Sequence, residues 1–156
     1  AVIGLMVEGI KLIREMPSQS PVAISTEPIT SFATPISVSK NPPVAFFNEW
    51  VNIDSQSGSI TRVSIQAKDG ETYINMFGAC SPTDCNFREY SPAPVVNYSY
   101  NPETKILNVE WITDFKIMTQ ELFLTPDGQL KVTTRNHFVD NSGRLDNDMV
   151  DYFTRQ

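Results

Sequence analysis

The stretch Thr61–Gly78, TRVSIQAKDGETYINMFG, decides the fold class. Thr61, Val63, Ile65 and Ala67 fall on one side of an extended chain, and Thr72, Ile74, Met76 and Gly78 fall on one side of the next. Asp69-Gly70 between them supplies a hairpin turn. The pattern predicts two antiparallel strands with one face turned to a core.

Outward from this hairpin the same alternation recurs, punctuated by turn residues. Phe46–Asn52 reads as a first strand, and Val95–Tyr100 turns at Asn101-Pro102. Ile106–Thr113 carries Leu107, Val109 and Trp111 on one side, and Lys116–Thr125 turns at Asp127-Gly128. Leu130, Val132, Thr134, Asn136 and Phe138 then share a face, and Asn141-Ser142-Gly143 precedes a last strand, Met149–Thr154. Roughly eight strands joined mostly by tight turns predict an all-β, antiparallel up-and-down barrel, whose interior fits side chains or one small ligand. A sandwich is the competing architecture; it usually needs longer crossovers, and the long gap here is Ala79–Pro94.

Before the barrel domain, residues 46–156, the texture differs. In AVIGLMVEGIKLIREMP, residues 1–17, Ile3, Met6, Val7, Ile10 and Ile13 recur at helical spacing and Pro17 ends the run. A helix this short needs its apolar face covered, by its own domain, by a neighbouring copy or by a membrane. Residues 18–45, rich in Ser, Thr and Pro, read as an extended linker. The chain opens on Ala1 rather than Met, as expected of a processed chain or a fragment.

The 156 residues hold 12 Lys and Arg against 18 Asp and Glu, for a net charge of -6. The cations are scattered, so no nucleic-acid partner is expected, and membrane contact is expected only through the N-terminal segment.

Both cysteines lie in GACSPTDCNF, residues 78–87. A structural zinc site needs four N or S ligands, and besides Cys80 and Cys85 the chain offers one histidine, His137. A redox pair normally has a two-residue spacer and a cationic neighbour, and neither is here. The reading that remains is a disulfide-closed turn, contributing about 2 kcal/mol. A secreted or cell-surface setting suits it, and the sequon Asn97-Tyr98-Ser99 makes Asn97 a candidate glycosylation acceptor.

A lone histidine on the polar side of its strand leaves little for nucleophilic catalysis, and DNSGRLDND, residues 140–148, lacks the spacing of a calcium loop. No enzyme activity, cofactor or metal is expected. Met76, Trp111, Thr134, Asn136 and Phe138 are the inward candidates for a small-molecule site, combining apolar surface with two polar handles. They serve equally as barrel filling.

EWVNID at Glu49–Asp54 and YFTR at Tyr152–Arg155 resemble the start and finish of calycins, the superfamily of lipocalins, fatty-acid-binding proteins and avidins. That resemblance implies a barrel closed at one end by Trp50 with Arg155 across it, a cation–π pair. A second likeness is to an uncharacterised domain of secreted bacterial proteins. It is carried by Trp50 and Asn52, by Gly78, Cys80, Pro82, Thr83, Asp84 and Cys85, and by Phe138-Val139-Asp140-Asn141-Ser142-Gly143-Arg144. It implies secretion and attaches no activity.

The expectation is therefore a non-catalytic extracellular binding or interaction module on an N-terminal attachment arm. The alternative is a structural subunit of a filament or sheath, built when residues 1–45 of one copy engage the next.

Overall fold

The computed structural model describes residues 39–156. The expected helix with Ile3, Met6, Val7, Ile10 and Ile13, and most of the linker, lie outside the described residues. Among the described residues nine antiparallel strands form one sheet: β1 (Asn48–Asn52), β2 (Ile60–Lys68), β3 (Glu71–Gly78), β4 (Cys85–Asn86), β5 (Val95–Asn101), β6 (Ile106–Ile112), β7 (Lys116–Leu124), β8 (Leu130–Phe138) and β9 (Asn147–Arg155). Two single 3-10 turns, Val44–Phe46 and Phe87–Glu89, accompany them.

The spatial order is β4-β3-β2-β1-β9-β8-β7-β6-β5, and the sheet curls into a half-barrel. Two meanders, β1 to β4 and β5 to β9, are thus joined where the first strand meets the last, with Trp50 opposite Arg155 and Asn52 opposite Phe153. The ends of the sheet are β4 and β5. The ninth strand, β4, is two residues long and too short to show a period; it forms where the chain turns back to pair Cys85 with Gly78 and Asn86 with Phe77.

Local chemistry explains the turns. Lys68 pairs with Glu71, which leaves Asp69 (φ 54°) and Gly70 (φ 82°) as a two-residue loop with both φ values positive, the form that matches strand twist. One register detail departs from simple alternation. A bulge between Ile60 and Arg62 shifts the frame, so Ile60, not Thr61, joins Val63 and Ile65 in the core. Thr61 instead donates to the Asp84 carboxylate at 2.6 Å, with the Phe77 carbonyl 3.1 Å from the same hydroxyl, fastening the cysteine turn.

The inner face is filled by Trp50, Ile74, Met76, Leu107, Trp111, Leu122, Val132 and Phe153, all buried. Between β4 and β5, side chains span the seam in place of a hydrogen-bonded ladder. The Phe87 ring meets Trp111 edge-on at 5.9 Å and stacks on Tyr90 at 5.5 Å. Arg88 donates from Nε to the Ile74 carbonyl at 2.7 Å and lies 4.2 Å from the Tyr73 ring centroid. At the other end of the sheet the incoming chain lies against it. Ser39 exchanges both backbone bonds with Tyr100, at 2.9 and 2.7 Å, and Phe46 packs edge-on against Tyr100 at 5.8 Å.

Candidate functional site

The five inward residues named from the sequence do not frame a cavity together. Met76, Trp111, Thr134 and Asn136 are buried, and Phe138 is half-buried beneath the Arg144 guanidinium at 4.3 Å. Trp111 lines a void of only about 10 Å³ with Phe87, Tyr90 and Lys116. Their polar groups bond to one another or to neighbours, except Asn136 Oδ1, which is buried without a partner among the described residues. Trp111 Nε1 donates to Gln120 Oε1 at 3.0 Å, Gln120 Nε2 donates to Thr134 Oγ1 at 3.1 Å, and Asn136 Nδ2 donates to Asn147 Oδ1 at 2.9 Å. Beside the void, burial and then the Arg144 charge push the Lys116 ammonium below its usual range, and burial raises the Tyr90 hydroxyl.

The Trp50 indole is fully buried, with Arg155 Cζ 5.2 Å from its ring centroid, and its Nε1 donates to the Phe46 carbonyl at 3.0 Å. Cys80 and Cys85 form a disulfide across a Cα–Cα distance of 5.5 Å. Asn97 is exposed on β5 and donates to Glu110 at 3.0 Å.

A concavity does exist, on the opposite face of the sheet. Strand alternation that sends Leu107, Val109 and Trp111 inward sends Asn108 and Glu110 outward, and the same holds on each neighbouring strand. Register then lines these outer residues up. One row across β5 to β9 reads Asn97, Glu110, Thr119, Arg135, Asp148. The next reads Ser99, Asn108, Glu121, Thr133. Between them they line a trough of about 520 Å³, within the usual size of ligand sites. Arg135 Nε pairs with Asp148 at 3.2 Å, which leaves Glu121 and one oxygen of Glu110 facing the trough.

Around the Asp148 end the β8–β9 connection is pinned by carboxylates. His137 Nδ1 meets Asp146 Oδ2 at 2.7 Å, and the Phe138 N–H donates to the other oxygen at 3.0 Å. These bonds, His137 first, hold the Asp146 carboxyl below the ordinary range; bonds from Ser142 first and then Arg144 do the same for Asp140.

A second concavity, about 740 Å³, lies over β1 to β4, and several of its groups are engaged around the cysteine turn. Thr61 bonds Asp84, Asn86 bonds Glu89 at 2.8 Å, and the Arg62 guanidinium stacks on Phe77 at 3.8 Å.

The trough residues other than Asn97 escape a reading of the sequence, because each taken singly is an ordinary solvated strand position. The signal that marks them is cross-strand alignment, which requires the register. No family model, no curated protein and no solved structure matches this chain.

Proposed function

We propose that the chain is a non-catalytic extracellular binding or interaction module. The half-barrel is its rigid platform, the outer trough of β5 to β9 its binding face, and residues 1–45 its attachment arm. The observation that carries this reading is the pair of polar rows aligned over a concavity on regular strands, where side-chain positions are fixed by the ladder. The disulfide favours an oxidising compartment. Arg155 over Trp50 favours a calycin-type reading of the barrel.

The test is backbone-amide NMR of the full chain against a panel of oligosaccharides, basic peptides and acidic peptides. Perturbations clustered on β5 to β8 are expected; a panel that perturbs only β1 to β4, or nothing, overturns the trough as binding face.

Assembly into a filament or sheath is the second reading, and the Ser39–Tyr100 bridge favours it. The arm enters the sheet at the β5 edge, and ladder alternation points the backbone groups of Val96 and Tyr98 the same way as those of Tyr100. An edge without Lys, Pro or a bulge accepts a further strand readily. Sedimentation of full-length protein and of a variant lacking residues 1–20 decides it; monomers in both at micromolar concentration sink this reading.

A further inference from the structure

We infer that the occupant of the trough is an extended glycan laid across the strands, neutral or amine-bearing, a conclusion that rests on the trough being the binding face.

Spacing is the first reason. Neighbouring strands lie about 4.8 Å apart, so outer residues in one row repeat at that interval, and the row from Asn97 to Asp148 runs about 19 Å. The rise of one pyranose unit in an extended β-1,4-linked chain is close to one strand spacing, so each sugar falls over one strand and alternate sugars, turned over, stay in step with every second strand. An extended peptide presents same-side groups only every ~6.8 Å and falls out of step with the rows.

Chemistry is the second. A sugar hydroxyl both donates and accepts, and the trough mixes both roles in short side chains: amides at Asn97 and Asn108, hydroxyls at Thr119 and Thr133, carboxylates at Glu110 and Glu121. The row bordering these is different in character. Ile106, Phe123, Lys131 and Tyr152 follow one another across β6 to β9, with Phe123 half-buried and Tyr152 37 % exposed. Rings beside a polar row suit the apolar C–H face of a pyranose while its hydroxyls reach the trough.

Charge decides between glycan classes. With Arg135 engaged by Asp148, Glu110 and Glu121 leave the trough negative on a chain of net charge -6. Uronic or sulfated chains are repelled, and amino sugars are favoured.

The experiment is calorimetric titration of the full chain, made in a host that leaves Asn97 unglycosylated. The probes are the β-1,4-linked hexamers of glucosamine, N-acetylglucosamine and mannuronate. The first two are expected to bind and the third not. Glu121→Gln is expected to weaken the glucosamine hexamer about fivefold, near 1 kcal/mol, and to leave the N-acetylglucosamine hexamer within about twofold. Thr119→Trp, which fills the trough from an exposed position, is expected to abolish both without moving the urea midpoint.

Mannuronate binding as tightly as glucosamine overturns the inference. So does silence of all three hexamers while a lysine-rich peptide shifts the amides of β5 to β8, a result that leaves the trough standing as a binding face. Silence of every probe, peptides included, overturns both.

Discussion

Trp50 and Arg155 are direct cross-strand partners at the junction of the first and last strands, with the guanidinium carbon 5.2 Å from the indole centroid. Arg155 also donates to the Ala45 carbonyl at 3.1 Å, so one side chain ties β9, β1 and the incoming chain together. Arg155→Ala is expected to cost about 1 kcal/mol. Trp50→Ala, at a fully buried site, is expected to cost about 4 kcal/mol of a total stability of about 5–15 kcal/mol. Urea unfolding followed by Trp fluorescence measures both; equal costs for the two variants would contradict this account.

Gly78 lets Phe87 reach the seam. A Cβ placed there would stand 2.8 Å from Phe87 Cε1, closer than carbon atoms pack, and the aromatic ring is held between Trp111 and Tyr90. Gly78→Ala is expected to destabilise by about 2 kcal/mol, with much of it recovered when Phe87→Leu is added. Thermal unfolding of the two single variants and the double variant is the check, and strict additivity would show that the ring does not pack as described.

Gln120 is 2 % exposed and satisfies Trp111 on one side and Thr134 on the other. Gln120→Leu leaves the indole N–H and the threonine hydroxyl without partners in the core, at an expected cost of about 2 kcal/mol. Replacing all three at once, by Gln120→Leu, Trp111→Phe and Thr134→Val, is expected to cost less than the sum of the single changes, because no buried donor is then stranded. Denaturant midpoints read the difference.

The disulfide closes a short turn that Thr61 and Asp84 also fasten. Replacing both cysteines by Ser is expected to lower stability by about 2 kcal/mol while the amide spectrum of β5 to β9 stays unchanged. Spectral change spreading into the trough would show that the turn supports more than the β3–β4 corner.

Asp140 and Asp146 have carboxyls depressed below their ordinary value of 3.8 in the folded chain. Their contribution is therefore complete above that value and is lost as pH falls below it through the folded titrations. The connection between β8 and β9 is expected to loosen in that acid window before the core unfolds, seen as faster amide exchange over residues 138–146. Asp146→Asn is expected to remove the pH dependence of the Phe138 amide. A connection unchanged down to global acid unfolding would refute the role given to these bonds.

Much of the sheet is legible in the chain because its strands alternate cleanly. Leu107, Val109 and Trp111, and Leu130, Val132, Thr134 and Asn136, point inward as their spacing predicts. Asp69-Gly70 turns the hairpin because only a few residue types accept positive φ there. The bulge at β2 is not legible, since Thr61 fits the alternation as well as Ile60 does until the pairing with β3 is known. The binding face is not legible either: Glu110 and Thr119 become neighbours only through the β6–β7 register.

By itself the sequence determined what is local: the all-β character of the described residues, the places of the longer strands, the tight turn and a cysteine pair close enough to join. Period-two alternation and turn chemistry act over a few residues, so they survive in the linear string. Only the tertiary structure decided that β1 lies against β9, that the seam falls between β4 and β5 with Phe87 across it, and that the outer polar residues align into a trough. Those features are contacts between residues far apart in the chain, set by how one curled sheet covers its core, and no short window of sequence contains them.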